Sequence, residues 1–280
     1  MSIWQGRSAI VTGGGSGIGK ALGAELARRG AVVWLSDVDG DAAAAAAKEV
    51  GHDARCVALD VTDADAVKRH VDDVAASHGR IDAVFNNAGI GVGGDIRELN
   101  RAHFDRCLDV NVRGVVHGIL AAFPRMQEQG GGIIVNTASA AGLLPLPLMA
   151  PYCMSKHAVV GLSNSLRPEA ARHGVRMNVL CPTAIETPLL ETDVSQQLGA
   201  TWRPDIRAYL TRVGGPPYPV ERFVAYALDQ VERNRGTIVA PAGARVRLAV
   251  ARWFPGLVER LSKQAYEEML ATRPADAAER

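Results

Sequence analysis

Cysteine is scarce: Cys56, Cys107, Cys153 and Cys181 are the four in 280 residues, with no Cys-x-x-Cys and no histidine at ligand spacing. That pattern speaks against a zinc site or a disulfide framework and reads as buried thiols in a reducing compartment. Net charge is nearly absent as well. Lys+Arg 31 against Asp+Glu 30 leaves +1, so no global field favours nucleic acid or an anionic surface. No run approaches the roughly 18 apolar residues of a membrane span. The start of the chain runs almost directly into the apolar Ser8 to Thr12 without a charged-then-apolar leader, so the default expectation is a cytoplasmic protein. Neither an internal repeat nor a flexible linker divides the sequence, which predicts one domain. What the chain does have is 48% hydrophobic residues, as a folded globule requires.

Those residues fall in a regular order. Short runs rich in β-branched residues, Ser8 to Val11, Val32 to Leu35, Arg55 to Leu59, Ala83 to Phe85, Ile133 to Asn136 and Arg176 to Leu180, read as strands. Helical patterns separate them at Gly19 to Arg29, Asp41 to Val50, Asp65 to His78 and His103 to Gln129. Several strands are apolar almost throughout, as expected when both faces of a sheet are covered. Strand and helix alternating in this way predicts a doubly wound α/β domain with a parallel sheet and right-handed crossovers. The alanines from Ala42 to Ala47 are a strong helix former and carry no assigned function.

The first strand empties into Thr-Gly-Gly-Gly-Ser-Gly-Ile-Gly, Thr12 to Gly19, and a helix follows at once. Glycines let the backbone turn tightly and approach a pyrophosphate, while a helix N-terminus offers free N–H groups and a positive dipole end. Eighteen residues after Gly19, Asp37 closes the second strand. A carboxylate there accepts hydrogen bonds from both ribose hydroxyls of an adenosine and repels a 2′-phosphate. With no basic residue in the loop and Val38 after Asp37, NAD is expected over NADP.

A second constellation lies downstream. Tyr152 and Lys156 stand 13 and 17 residues after Ser139. On a helix, i and i+4 share a face, so a phenol and an ammonium form a candidate acid/base pair. A positive neighbour lowers the tyrosine pKa from about 10 toward working pH, where general acid/base catalysis is most effective.

Jointly, these residues resemble the short-chain dehydrogenase/reductase family in its shorter, single-domain branch, from about Arg7 to Thr187. Thr12, Gly13, Gly17 and Gly19 match its Thr-Gly-x-x-x-Gly-x-Gly loop. Asp60 with Val61 matches the acidic position after the third strand, and Asn86 to Gly89 matches Asn-Asn-Ala-Gly along the cofactor. Asn111, Ser139, Tyr152 and Lys156 match the catalytic tetrad. The resemblance implies a Rossmann-type fold and hydride transfer between NAD and an alcohol or carbonyl carbon, with no metal. Its cofactor-binding residues would be Gly13, Ser16, Gly17, Ile18, Gly19, Asp37, Asp60, Val61, Asn87, Ala88, Gly89, Tyr152, Lys156, Ile185 and Thr187. Tyr152 would exchange the substrate proton and Ser139 would hold the substrate oxygen. Lys156 would lower the tyrosine pKa and bind the nicotinamide ribose, and Asn111 would link Lys156 to solvent through an ordered water.

The family's substrate wall corresponds to the stretch rich in Leu, Pro and Met after Ser139. Leu143, Leu144, Leu146, Leu148 and Met149 would line it, with Ser139 and Tyr152 reaching the reacting centre. That composition suits a lipophilic secondary alcohol or ketone. Residues 189–219 resemble the substrate lid, with Trp202 and Tyr209 as candidate contacts. A homodimer or homotetramer is the implied assembly, and no nucleic-acid partner is implied. Two departures stand out. Thr183 replaces the usual glycine after Pro182, and Pro168 falls in the helix of the Tyr-Lys pair, where a mid-helix proline kinks or costs about 3 kcal/mol. The core domain is read as residues 1–241 and the remainder, 242–280, as an extension. Arg245, Arg247, Arg252 and Arg260 mix there with Trp253, Phe254, Leu257 and Leu261. Such a stripe can lie on a membrane, pack on the domain, cap the pocket or join subunits. Two other functional classes stand beside the enzyme: a non-catalytic dinucleotide-binding redox regulator, and a peripheral membrane protein.

Overall fold

The computed structural model describes residues 2–273. Seven strands form one parallel sheet in the order β3-β2-β1-β4-β5-β6-β7. They are β1 (Ser8–Thr12), β2 (Val32–Asp37), β3 (Arg55–Ala58), β4 (Ala83–Asn86), β5 (Gly132–Thr137), β6 (Val175–Pro182) and β7 (Thr237–Ala240). The first six lie where the apolar runs predict them. The short β7 pairs with β6 from Val179 opposite Thr237 to Pro182 opposite Ala240, and the sequence pattern does not mark it.

Alternate residues of each strand enter opposite cores, as the pleat demands. Val11, Leu35, Phe85 and Val135 pack against α1 (Gly17–Arg28), α2 (Gly40–Val50) and α8 (Val220–Glu232). Ile10, Val84, Ile134 and Val179 face α3 (Ala64–His78), α5 (Gly114–Glu128) and α6 (Ala150–Ala171). Asp39 and Asp63 cap α2 and α3 by accepting from the N–H groups of Ala42 and Ala66, each at 2.9 Å. The strand order reverses between β1 and β4, and the connections leaving these two strands bound the crevice where open α/β sheets bind ligands.

Three features differ from the sequence pattern. The helix expected over His103 to Gln129 is α4 (Arg101–Leu108), a five-residue π turn Asp109–Arg113, and α5. The extra residue per turn coincides with Asn111, whose amide leaves the helix to bind another segment. Pro168 falls in the last turn of α6, which continues past it to Ala171; few helical bonds lie beyond it, so the Tyr152 turn is untouched. The lid segment carries α7 (Ile206–Gly214), and the extension forms α9 (Ala244–Trp253) and α10 (Pro255–Leu270). Met269 of α10 is buried with Leu148 and Trp202, and buried Arg273 pairs with Glu98 and, at 3.9 Å, with Asp95. The extension is thereby fastened to the β4–α4 connection. Among the described residues no helix is long and apolar enough to cross a membrane.

Candidate active site

At the first end of the crevice the backbone must pass where side chains cannot. A Cβ on Gly13, which has φ +65°, would lie 2.8 Å from the Ala88 Cα, and one on Gly19 would lie 1.9 Å from the Gly13 carbonyl oxygen. Thr12 fixes the neighbouring segment, because its hydroxyl oxygen accepts from the N–H groups of Asn87 and Ala88, both at 3.0 Å. Asn87 returns a bond from Nδ2 to the Thr12 carbonyl at 3.1 Å. Ser16 occupies the N-cap position of α1 without a side-chain capping bond, so its hydroxyl and the helix's first N–H groups remain available to an anion.

The carboxylates follow. Asp37 accepts from the Gly15 N–H at 2.9 Å and lines the cavity beside Val38. Asp60 accepts from the Thr62 N–H and hydroxyl at 2.9 and 2.8 Å. The Thr62 N–H is the main cause holding its carboxyl below the usual range. Val61 is buried, and its carbonyl meets His117 Nδ1 at 2.9 Å. The loop glycines, the uncapped helix end and the Asp37 carboxylate together fit a dinucleotide.

Deeper in, α6 presents Tyr152 and Lys156 one turn apart. Lys156 is buried, its Nζ donating to the Thr137 carbonyl at 3.1 Å and lying 5.5 Å from the centre of the Tyr152 ring. Burial pulls the ammonium down to about 8. Tyr152 keeps an edge open to the cavity, yet burial pushes its phenol up to about 12, and a hydrogen bond with Ser139 opposes that rise. Desolvation thus governs the phenol in the free protein, and the group that opposes it is Ser139 rather than the expected Lys156.

Asn111 stands one layer behind. Its Oδ1 accepts from the Ile90 N–H at 2.8 Å, while Nδ2 donates to the Ile90 carbonyl and the Ser155 hydroxyl, each at 3.0 Å. Gly89 is where Asn111 and Lys156 converge, since a Cβ there would meet Asn111 Oδ1 at 3.2 Å and Lys156 Nζ at 3.3 Å.

One cavity of about 820 Å³ joins these parts. Its wall includes Gly13, Ser16, Gly17, Ile18, Asp37, Asp60, Val61, Asn87, Ala88, Gly89, Ser139, Tyr152, Lys156, Ile185 and Thr187. Of the anticipated site residues, Gly19 and Asn111 lie behind the wall instead. On the substrate side Leu144, Leu146, Met149 and Tyr209 reach the cavity. Leu143 and Leu148 do not, nor does Trp202. Leu143 packs beside the core of α6, and the other two form the seat of Met269. Sequence reasoning therefore misplaced these three. A run of apolar residues does not show which of them a later helix will cover. It also missed Leu189 and Leu190 of the lid, Leu248 of α9 and Arg106 near Asp60, all of which line the cavity. Each belongs to a segment without a distinguishing motif. Thr183 donates its N–H to the Ala240 carbonyl at 2.9 Å, an ordinary strand-end bond that tolerates its side chain.

A short chain dehydrogenase family profile matches residues 7–198. Levodione reductase of Leifsonia aquatica is 39% identical over 196 residues, covering 68% of this chain and 73% of that protein. The 2,5-dichloro-2,5-cyclohexadiene-1,4-diol dehydrogenase of Sphingobium indicum is 36% identical over 225 residues, 80% of this chain and 86% of that one. A short chain dehydrogenase/reductase from Burkholderia phymatum, solved in complex with NAD, superposes with a TM-score of 0.82 at 29% identity, covering 92% and 96% of the two chains. On the fold, the matched motifs and these relatives, the chain belongs to the short-chain dehydrogenase/reductase family of oxidoreductases.

Proposed function

We propose that the protein transfers hydride between NAD and the carbinol or carbonyl carbon of an uncharged, lipophilic secondary alcohol or ketone. The observation that carries this reading is the position of Ser139, Tyr152 and Lys156 where the dinucleotide-fitting half of one cavity meets its apolar half. Bound NAD supplies the hydride acceptor or donor; the other roles fall to this chain. Gly13, Ser16, Gly17 and Ile18 receive the pyrophosphate, Asp37 the adenosine ribose, and Asp60 with Val61 the adenine. Asn87, Ala88, Gly89, Ile185 and Thr187 border the remainder.

Ser139 orients the substrate oxygen and stabilises charge developing on it. In the reducing direction Tyr152, held protonated by its raised pKa, donates the proton that completes the alcohol. In the oxidising direction the phenolate must form, so that rate rises with pH. Lys156, charged below about pH 8, favours the phenolate over that range, and Asn111 holds the Ile90 backbone and the Ser155 hydroxyl behind it.

Among the described residues, the charged groups on the cavity wall besides Lys156 are Asp37, bonded to the glycine loop, and Asp60 with Arg106 beside it; Leu144, Leu146, Met149, Leu189 and Leu190 line it as apolar groups, which favours an uncharged ligand. The two curated relatives, named for a dione and an uncharged ring diol, agree in class. Asp37 favours NAD, because its carboxylate would face a 2′-phosphate across the rim.

A panel of cyclic and long-chain secondary alcohols and ketones, followed by nicotinamide absorbance with NAD(H) and NADP(H), tests the reading. We expect kcat/KM with NAD to exceed that with NADP by about tenfold or more, and Asp37→Ser to narrow the gap. Tight NAD binding without turnover across the panel would favour the redox regulator.

A further inference from the structure

Among the described residues, one side of the two extension helices meets no partner. On α9, Val246, Val250 and Trp253 recur at i, i+4 and i+7, a single helical face. Where α9 meets α10, Phe254 and Leu257 follow, and Leu261 lies one turn further along α10. All six are exposed, Val246 at 68%, Trp253 at 80% and Phe254 at 60%. Isolated exposed apolar residues are ordinary, but six within sixteen residues, with two aromatics at their centre, mark an interaction surface.

Charge selects the partner. Residues 242–263 hold Arg245, Arg247, Arg252, Arg260 and Lys263 against Glu259, a net +4 in a chain whose total is +1. The remaining residues therefore sum to −3, and the basic charge is concentrated in the segment that carries the apolar face. Arg245, Arg252, Arg260 and Lys263 are themselves exposed. A second copy docking through a two-fold axis would bring this patch against itself, like charge against like. An anionic lipid surface offers the complement: acyl chains for Trp253, Phe254 and the aliphatic residues, and headgroups for the arginines.

We propose that the α9–α10 elbow seats the protein on the surface of membranes that carry anionic lipid, without spanning them. The opposite side of α9 carries Ala244 and Leu248, which line the cavity, so docking sets the pocket beside the lipid. The binding claim itself does not depend on the proposed reaction.

Flotation of the full chain with vesicles of phosphatidylcholine, alone or mixed with phosphatidylglycerol, tests it. We expect recovery with the mixed vesicles, weakened by salt, and about a tenfold or greater fall in partitioning for Trp253→Ser/Phe254→Ser and for Arg245→Gln/Arg252→Gln/Arg260→Gln. Circular dichroism and turnover of a water-soluble secondary alcohol should match the parent protein in both variants, since none of these side chains lines the cavity. Recovery indifferent to lipid charge and to the substitutions would overturn the proposal. So would a dimer, seen by sedimentation velocity, that Trp253→Ser/Phe254→Ser dissociates, because the face would then belong to a second copy. If the parent protein shows no turnover, the assigned reaction fails while the flotation result still decides the docking.

Discussion

Lys156 is an ammonium enclosed by protein and paired with a single carbonyl, that of Thr137, and burial lowers it from 10.5 to about 8. Below pH 8 the folded and unfolded chains both carry the charge, and the fold bears the full burial penalty, about 3 kcal/mol for a displacement of that size. Between 8 and 10.5 the native state has released its proton while the unfolded chain retains it, so stability rises with pH across that window. Lys156→Met removes the penalty and loses one hydrogen bond, worth about 1 kcal/mol. At pH 7 we expect the variant to be more stable by about 2 kcal/mol in urea denaturation, with turnover lost and the advantage shrinking by pH 10. At this scale the sequence was most informative: the spacing of Ser139, Tyr152 and Lys156 already implied a shared wall. It could not indicate that burial, more than the neighbouring charge, governs the phenol of Tyr152, because desolvation depends on what packs around a residue from distant segments.

The packing of α3 on β2 carries its own titration. His70 is buried, with its ring centre 6.1 Å from that of Trp34, and burial lowers it from 6.5 to about 4. As pH falls through that interval the unfolded chain takes up a proton that the native state refuses, so stability falls. Across the window the parent protein should lose up to about 3 kcal/mol more than His70→Leu, read from urea midpoints at successive pH values. The elements themselves were largely legible, because strands covered on both faces read as apolar runs between helical repeats. β7, no shorter than β3 or β4, escaped because Thr237 to Ala240 lies past the motif-bearing part of the chain, where a short apolar run between Gly236 and Pro241 reads equally well as a loop. The π turn at Asn111 escaped because its cause is a side-chain bond to Ile90, twenty-one residues away in sequence, which no local pattern records.

Across the whole molecule, motif-bearing parts were readable and the covering parts were not. The glycine loop, Asp37, Ser139, Tyr152 and Lys156 line one cavity, because backbone turns and helix ends impose their own residue types, whereas Leu143 and Leu148 between them are taken up in packing. The lid and the extension impose no such requirements. Trp202 could serve a substrate or a helix equally well in sequence, and only the arrival of Met269 decides that it holds α10. We propose that all these parts serve one event, the passage of hydride from a nicotinamide to a carbon whose oxygen Tyr152 protonates. The direct measurement supplies NADH deuterated at the transferring position with a ketone that the panel identifies, and follows both the label and the rate in the parent protein and in Tyr152→Phe. We expect one deuterium on the carbinol carbon from the parent protein, and no turnover from the variant although it binds NADH within about a few-fold of the parent. Near-normal turnover by Tyr152→Phe, or product formed without the label, would contradict it.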